Sequence, residues 1–497
     1  MPMKHVIIIG AGMGGLATAL RLNHLGFRVT VLEKLDRPGG RSNVIEENGY
    51  RVDTGPTILV MKEAFEDTYR VIGEDLDRRL VLTRLDPNYR VYYHDNTTLD
   101  LYSDVGRLAD EIECVMPGGA ERLHHFIGEG ARKYELGMDF VDRNYDHIAE
   151  LANPTALARL LKTGAHQNLY RQVARFFRGN DKLAKAFSFH SMFLGLSPFD
   201  ALAMYSLITY ADLALGMWYP EGGIYRIVED MLALAHEHGV TIRTNAAVDE
   251  ICIDDDGRVV GVRLNSGEQI SADLVVSNAD LPYTYSHLVD SRFRRYYPDR
   301  RLARMQYACS GYLLYLGVDK TYDHVRHQAL YFSEDYRANL DAIFENLTLP
   351  DDPSFHMNIP TVTDPGLAPE GHSLVYLLAP MPNLQANINW DDAAPIVREQ
   401  LLDRLENILD PDIRQHIVWE REYRPDDFAL DYNAVHGTAF GSLAHGFFQS
   451  SYFRPHNKAR DISGLYFVGQ GTYPGIGMPM VHLSARLVTE RIISEWL

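Results

Sequence analysis

The chain has 497 residues, enough for two or three structural units rather than one simple core. Its 67 acidic residues against 48 basic ones give a net charge of −19, which argues against a nucleic-acid binder. Three scattered cysteines, Cys114, Cys252 and Cys309, form no CxxC pair and no disulfide framework, as suits a reducing, cytoplasmic compartment.

The chain opens on KHVIIIG, which reads as a buried parallel strand. GAGMGG follows, then LATALRLNHLG with helical periodicity, then FRVTVLE as a second strand. Gly10, Gly12 and Gly15 make G-x-G-x-x-G, with Gly14 as an extra glycine, and Glu33 ends the second strand 18 residues after Gly15. Gly10 permits the tight turn, Gly12 lets backbone approach a pyrophosphate, and Gly15 lets helix and strand pack closely. A helix N-terminus suits a diphosphate, and Glu33 can accept hydrogen bonds from a ribose diol. Residues 6–20 are apolar but Gly-rich and lack a small-residue cleavage site, so no signal peptide is expected.

Next come Lys34, the loop Gly39-Gly40-Arg41 and the segment Asp53-Thr54-Gly55-Pro56-Thr57. Such a loop can fold over a diphosphate and offer a guanidinium. The combination resembles FAD-binding flavoproteins of the glutathione-reductase type, in the amine-oxidase and carotene-desaturase branch. The resemblance implies bound FAD, with the segment Asp53-Thr54-Gly55-Pro56 near the flavin ring and Gly55, Pro56 and Thr57 binding the cofactor.

The block running to GMWYPEGG (Gly216, Trp218, Tyr219, Pro220, Gly222, Gly223) resembles the bacterial-type phytoene desaturases, a carotenoid desaturase family. The segments at 366–380 and 437–458 are similar to that family too, so the resemblance spans the chain. Residues 240–280 read as strand, hairpin and return strand, with Asp256-Gly257 and Ser266-Gly267 as turns. The resemblance there implies a backbone bond from Val248 to adenine. No breaker-free apolar run of 18 residues exists, so no membrane span is expected. The nearest run, 186–199, is short and holds His190 and Pro198.

The tail VGQGTYPGIGMPMVHLSA carries no charged side chain. The resemblance implies that it completes the flavin site through Gly469, Gln470, Gly471, Pro479 and Met480, with a helix starting near Met480. Gln470, Tyr473 and Met480 depart from the family pattern, the last two on what would be the substrate side of the flavin.

The implied fold is α/β. A discontinuous Rossmann-like FAD domain is expected from residues 1–75, 225–290 and 455–497. Residues 76–224 would form a helical, membrane-facing substrate region, and 291–454 an antiparallel-sheet substrate domain. The implied activity is FAD-dependent desaturation of phytoene or a related colourless carotene. Hydride goes to flavin N5 and a proton leaves the adjacent carbon, with Glu221 and His190 as proton-handling candidates. Quinone or oxygen would take the electrons. Alternatives are a carotenoid oxygenase or ketolase, a desaturase for a thirty-carbon or hydroxylated carotene, and a lipid-escort protein resembling Rab GDP-dissociation inhibitors. No metal cluster, HExxH motif or nucleophile elbow is present: His236-Glu237-His238 reads as a helix end, and GHSLV lacks the second glycine.

An apolar polyene must come from a bilayer, so a peripheral membrane surface is expected. Two basic stretches offer one. The first, 154–186, holds Arg159, Lys162, Arg171, Arg175, Arg178, Lys182 and Lys185 among Tyr170, Phe176 and Phe177, against one acid. The second, 292–304, holds six arginines. Nothing in the sequence marks an oligomeric state.

Overall fold

The computed structural model describes residues 3–151, 158, 161, 164, 166–446 and 449–497. The opening pattern folds as read. β1 (His5–Ile9) leads into α1 (Met13–His24) and β2 (Arg28–Leu32). Much later in the chain come α2 (Tyr225–Glu237), β3 (Thr241–Arg243), β4 (Leu274–Ser277), β5 (Leu465–Phe467) and α3 (Met478–Trp496). The five strands make one parallel sheet in the order β5-β4-β1-β2-β3, with Ile7 beside Val275 and Thr30. Every residue of β1 and β4 is buried, so these strands are covered on both faces rather than alternating between core and solvent. Leu16 and Leu20 of α1 pack with Val488 and Ile492 of α3 in one core, which brings the last helix onto the first.

Between β3 and β4 the chain makes a three-stranded antiparallel sheet from Val248–Ile253, Val259–Leu264 and Gln269–Ser271. A second large sheet has seven strands, in the order Ile417–Tyr423, Ser310–Val318, Ser373–Met381, Phe355–Asn358, Gln328–Phe332, Tyr89–Tyr93 and Thr98–Leu101. It is antiparallel except where Gln328–Phe332 runs parallel to Tyr89–Tyr93. One face packs on the helix Trp390–Ile408 through Val397, Leu401 and Leu405. Helices Gly119–Val141, Leu169–Phe176, Asp181–Ser188 and Ser206–Tyr210 form a helical region beside the other face. Among the described residues, no helix is long and apolar enough to cross a membrane.

Candidate functional site

The carboxyl ends of β1 and β2 open into a cavity of about 1170 Å³ that continues to the seven-stranded sheet and the helical region. At the first end, Gly10 leaves β1 with φ +94° and the chain turns into α1. The helix starts on Gly12 with no side-chain cap, so its first N–H groups have no intrahelical partner. Gly12 and Gly14 line the cavity. A Cβ on either would lie 2.9 or 2.7 Å from the Asn278 side chain. Gly15 does not line it. A Cβ there would sit 2.1 Å from the Gly10 carbonyl oxygen, so glycine is what lets α1 close on β1.

Glu33 is buried at the cavity edge, accepting the N–H groups of Ala11 at 2.7 Å and Leu35 at 3.0 Å. Lys34 and Val248 line the same end; the Lys34 ammonium donates to the Leu430 carbonyl and Asn433 Oδ1. Gly40 and Arg41 close over it. Arg41 pairs with Asp280 at 3.2 Å and donates to the Thr438 carbonyl, while its buried Nε has no partner among the described residues. An uncapped helix start beside an incompletely paired guanidinium fits the diphosphate of FAD.

Thr54, Gly55, Pro56 and Thr57 line the next part of the cavity, and a Cβ on Gly55 would lie 1.8 Å from the Arg41 carbonyl oxygen. Asp53 turns the other way. It accepts N–H groups from Ile224 at 2.7 Å and Tyr225 at 2.9 Å at the start of α2, and burial pushes its carboxyl up to about 6. Leu59 and Trp218 exchange two backbone hydrogen bonds. The GMWYPEGG block thus clamps the 53–59 segment against the cavity.

On the far side, Gly469, Gln470, Pro479 and Met480 line the cavity. α3 starts at Met478, two residues earlier than read, again on an uncapped glycine, Gly477. Gly471 lies behind the lining, where a Cβ would meet the Leu281 N–H and Ser442. Tyr473 departs from its expected place. It is buried away from the cavity among Tyr145, Leu483 and Leu487, and its hydroxyl donates to the Phe140 carbonyl at 2.6 Å.

Neither proton-handling candidate lines the cavity. Glu221 is exposed on a turn and does not line the cavity. His190 is fully buried outside it, with Nε2 2.8 Å from Asp212 and Nδ1 3.2 Å from Thr209, so both ring nitrogens are satisfied within the core. Sequence reading missed two other side chains. His445 lines the cavity: Nε2 accepts the Ile476 N–H at 3.2 Å and Nδ1 lies 3.4 Å from the Tyr205 hydroxyl. Burial lowers its basicity well below the usual histidine range. Arg454 is 0% exposed and donates to the carbonyls of Leu443, Gln449, Gln470 and Thr472.

Much of the remaining wall is apolar, with Phe193, Leu207, Leu313, Leu378 and Phe440 on it, and His356 and Tyr376 also reach it. The first basic stretch is less cationic outward than expected. Arg159 and Lys162 lie outside the described residues. Lys182 pairs with Asp95, Lys185 is buried against Asp181, and Phe177 is in the core beside Phe126 and Phe187. Arg171, Arg175 and Arg178 are exposed. In the second stretch, Arg292 and Arg294 pair with Asp290 and Asp299, and Arg301 lies over Tyr296 and Tyr297. Among the described residues no cluster of three His, Cys, Asp or Glu is placed to hold a metal ion.

Comparison with known proteins matches residues 13–493 to the family described as flavin containing amine oxidoreductase. A zeta-carotene-forming phytoene desaturase of Myxococcus xanthus is 40% identical over 99% of this chain and 94% of its own length. A 4,4'-diapophytoene desaturase of a Methylomonas species is 33% identical over 99% of this chain and 95% of its own. Among solved structures, an oxidoreductase from Methanosarcina mazei shares the fold with a TM-score of 0.65 at 18% identity, covering 98% of this chain and 100% of that one.

Proposed function

The chain belongs to the flavin containing amine oxidoreductase family, and we propose that it is an FAD-dependent carotene desaturase acting on phytoene. The observation that carries this reading is the single cavity that joins a nucleotide cradle to an apolar chamber. The full-length desaturase relatives favour the enzyme over an escort protein, and the 40% identical one favours phytoene over other carotenes.

Glu33, Arg41 and the start of α1 would hold the dinucleotide, and the start of α3 would place its N–H groups toward the flavin. FAD, when bound, supplies the two-electron acceptor for a hydride leaving an allylic carbon. The chain's own part is to align the polyene along Leu313, Leu378 and Phe440 and to keep water away from the reacting carbons.

Moving a forty-carbon polyene into water costs on the order of 30 kcal/mol at about 0.8 kcal/mol per CH₂. The substrate therefore passes directly from a bilayer, and the exposed Arg171, Arg175 and Arg178 are the face we assign to an anionic lipid surface. Quinone or oxygen would then reoxidise the cofactor.

Incubating the FAD-loaded protein with phytoene in liposomes, with a quinone present, and separating the products tests the activity. Carotenes with more conjugated double bonds are expected. Unchanged phytoene beside bound flavin would overturn the substrate, and oxygenated products would favour the oxygenase alternative.

A further inference from the structure

Desaturation removes two hydrogens from adjacent carbons, one with its electron pair and one as a proton. The proton needs an acceptor in a chamber walled by apolar side chains. We propose that Nδ1 of His356 takes it, an inference that rests on the desaturase reading.

His356 lies on the strand Phe355–Asn358. Phe355 and Met357 face the core under the sheet, so His356 faces the opposite side. In register it neighbours Leu378, which in turn neighbours Leu313, and all three line the cavity. A row of Leu, Leu and His thus crosses the cavity face at about 4.8 Å per strand.

The tautomer is set by the neighbours. His356 Nε2 lies 2.5 Å from Gln328 Oε1, and Gln328 Nε2 donates to the Thr57 carbonyl at 3.1 Å. The amide oxygen can only accept, so Nε2 carries the proton and Nδ1 keeps its lone pair. No described side chain or backbone group donates to Nδ1. Burial pushes the ring down to about 4, so it is neutral and ready to accept at neutral pH. Four other polar groups on the wall are engaged. Tyr376 donates to the Gly55 carbonyl, Asp280 pairs with Arg41, Asp431 accepts from Tyr423, and His445 uses both nitrogens.

The step balances as follows. After one carbon has lost hydride, the C–H bond of its neighbour breaks. That electron pair becomes the new π bond, and the proton forms an N–H bond at Nδ1. The resulting imidazolium keeps Nε2–H on Gln328, now as a stronger, charge-assisted bond. The two electrons of the hydride pass on to a quinone or dioxygen.

The test is the anaerobic rate of flavin reduction by phytoene in liposomes. General-base catalysis is worth about 10²- to 10⁴-fold, so His356→Gln and His356→Ala should each slow reduction by that factor with flavin binding unchanged. His356→Gln keeps an N–H for Gln328 but has no basic nitrogen. Added imidazole should restore the His356→Ala rate, and the wild-type rate should fall only as pH drops toward about 4. Variants within about threefold of wild type, or no rescue by imidazole, would overturn the role of His356 alone. A wild-type protein whose bound flavin is never reduced would overturn the desaturase reading as well.

Discussion

Arg454 gives the sharpest test of how the flavin-facing turn is held. It is fully buried, forms no ion pair among the described residues, and ties Leu443 and Gln449 on one segment to Gln470 and Thr472 on the other. Each charge-assisted hydrogen bond contributes about 1.5–3 kcal/mol, and each carbonyl left unpaired in the interior costs about 1–3 kcal/mol. Against this stands the cost of burying the guanidinium, visible in its pKa, pulled down to about 10. With four carbonyls losing their donor and the guanidinium's desolvation relieved, the net loss is about 3–5 kcal/mol. We therefore expect Arg454→Met to lose about that much stability in urea unfolding of the apoprotein, and to release flavin on gel filtration, because Gln470 lines the cavity. Arg454→Lys, with three donors for four carbonyls, should fall between. An Arg454→Met protein within about 1 kcal/mol of wild type that keeps its flavin would refute the reasoning.

Three further outcomes are expected. Gly55→Ala puts a Cβ 1.8 Å from the Arg41 carbonyl oxygen, so the purified variant should carry little or no flavin by absorbance; full loading would contradict the packing described. Asp53 is raised from 3.8 to about 6, so the folded state binds its proton more tightly than the unfolded chain does. Its contribution favours the folded protein below about pH 4 and is lost as pH rises through about 6. The stability of wild type minus that of Asp53→Asn should therefore fall by up to about 3 kcal/mol between pH 4 and pH 7, measured by urea unfolding, and a constant difference would exclude the shift. Changing Arg171, Arg175 and Arg178 to Glu should abolish co-sedimentation with anionic liposomes, since each cation near such a surface is worth about 1 kcal/mol; unchanged binding would remove that face from the account.

The parts legible in the sequence are those whose physics is local. The turn at Gly10, the uncapped start of α1 and the glycine packing at Gly15 are set by a handful of adjacent residues, and they stand where the pattern put them. The hairpins after β3 follow from turn residues in the same way. What the sequence hid is set at long range. Asp212 meets His190 through chain reversal, and that contact turns an expected proton carrier into a core residue. Gln328–Phe332 pairs in parallel with Tyr89–Tyr93 across more than two hundred residues, which no periodicity announces. Arg454 sits in a polar-looking FRPHNK string, and only the fold reveals that four carbonyls converge on it. His356 carried no motif. Its alternation with Phe355 and Met357 marks a two-faced strand, but only the fold reveals that its side of the strand faces the cavity.

The central claim is that this chain passes hydrogen from a colourless carotene to its own flavin. Anaerobic mixing of the FAD-loaded protein with phytoene liposomes, followed by an ultraviolet–visible spectrum with no added acceptor, tests it in one turnover, in which one flavin can take the two electrons of one new double bond. The account predicts loss of the oxidised-flavin band together with structured polyene absorption in matching amount. A flavin that stays oxidised, or polyene that forms only when dioxygen is admitted and carries new oxygen, would contradict it.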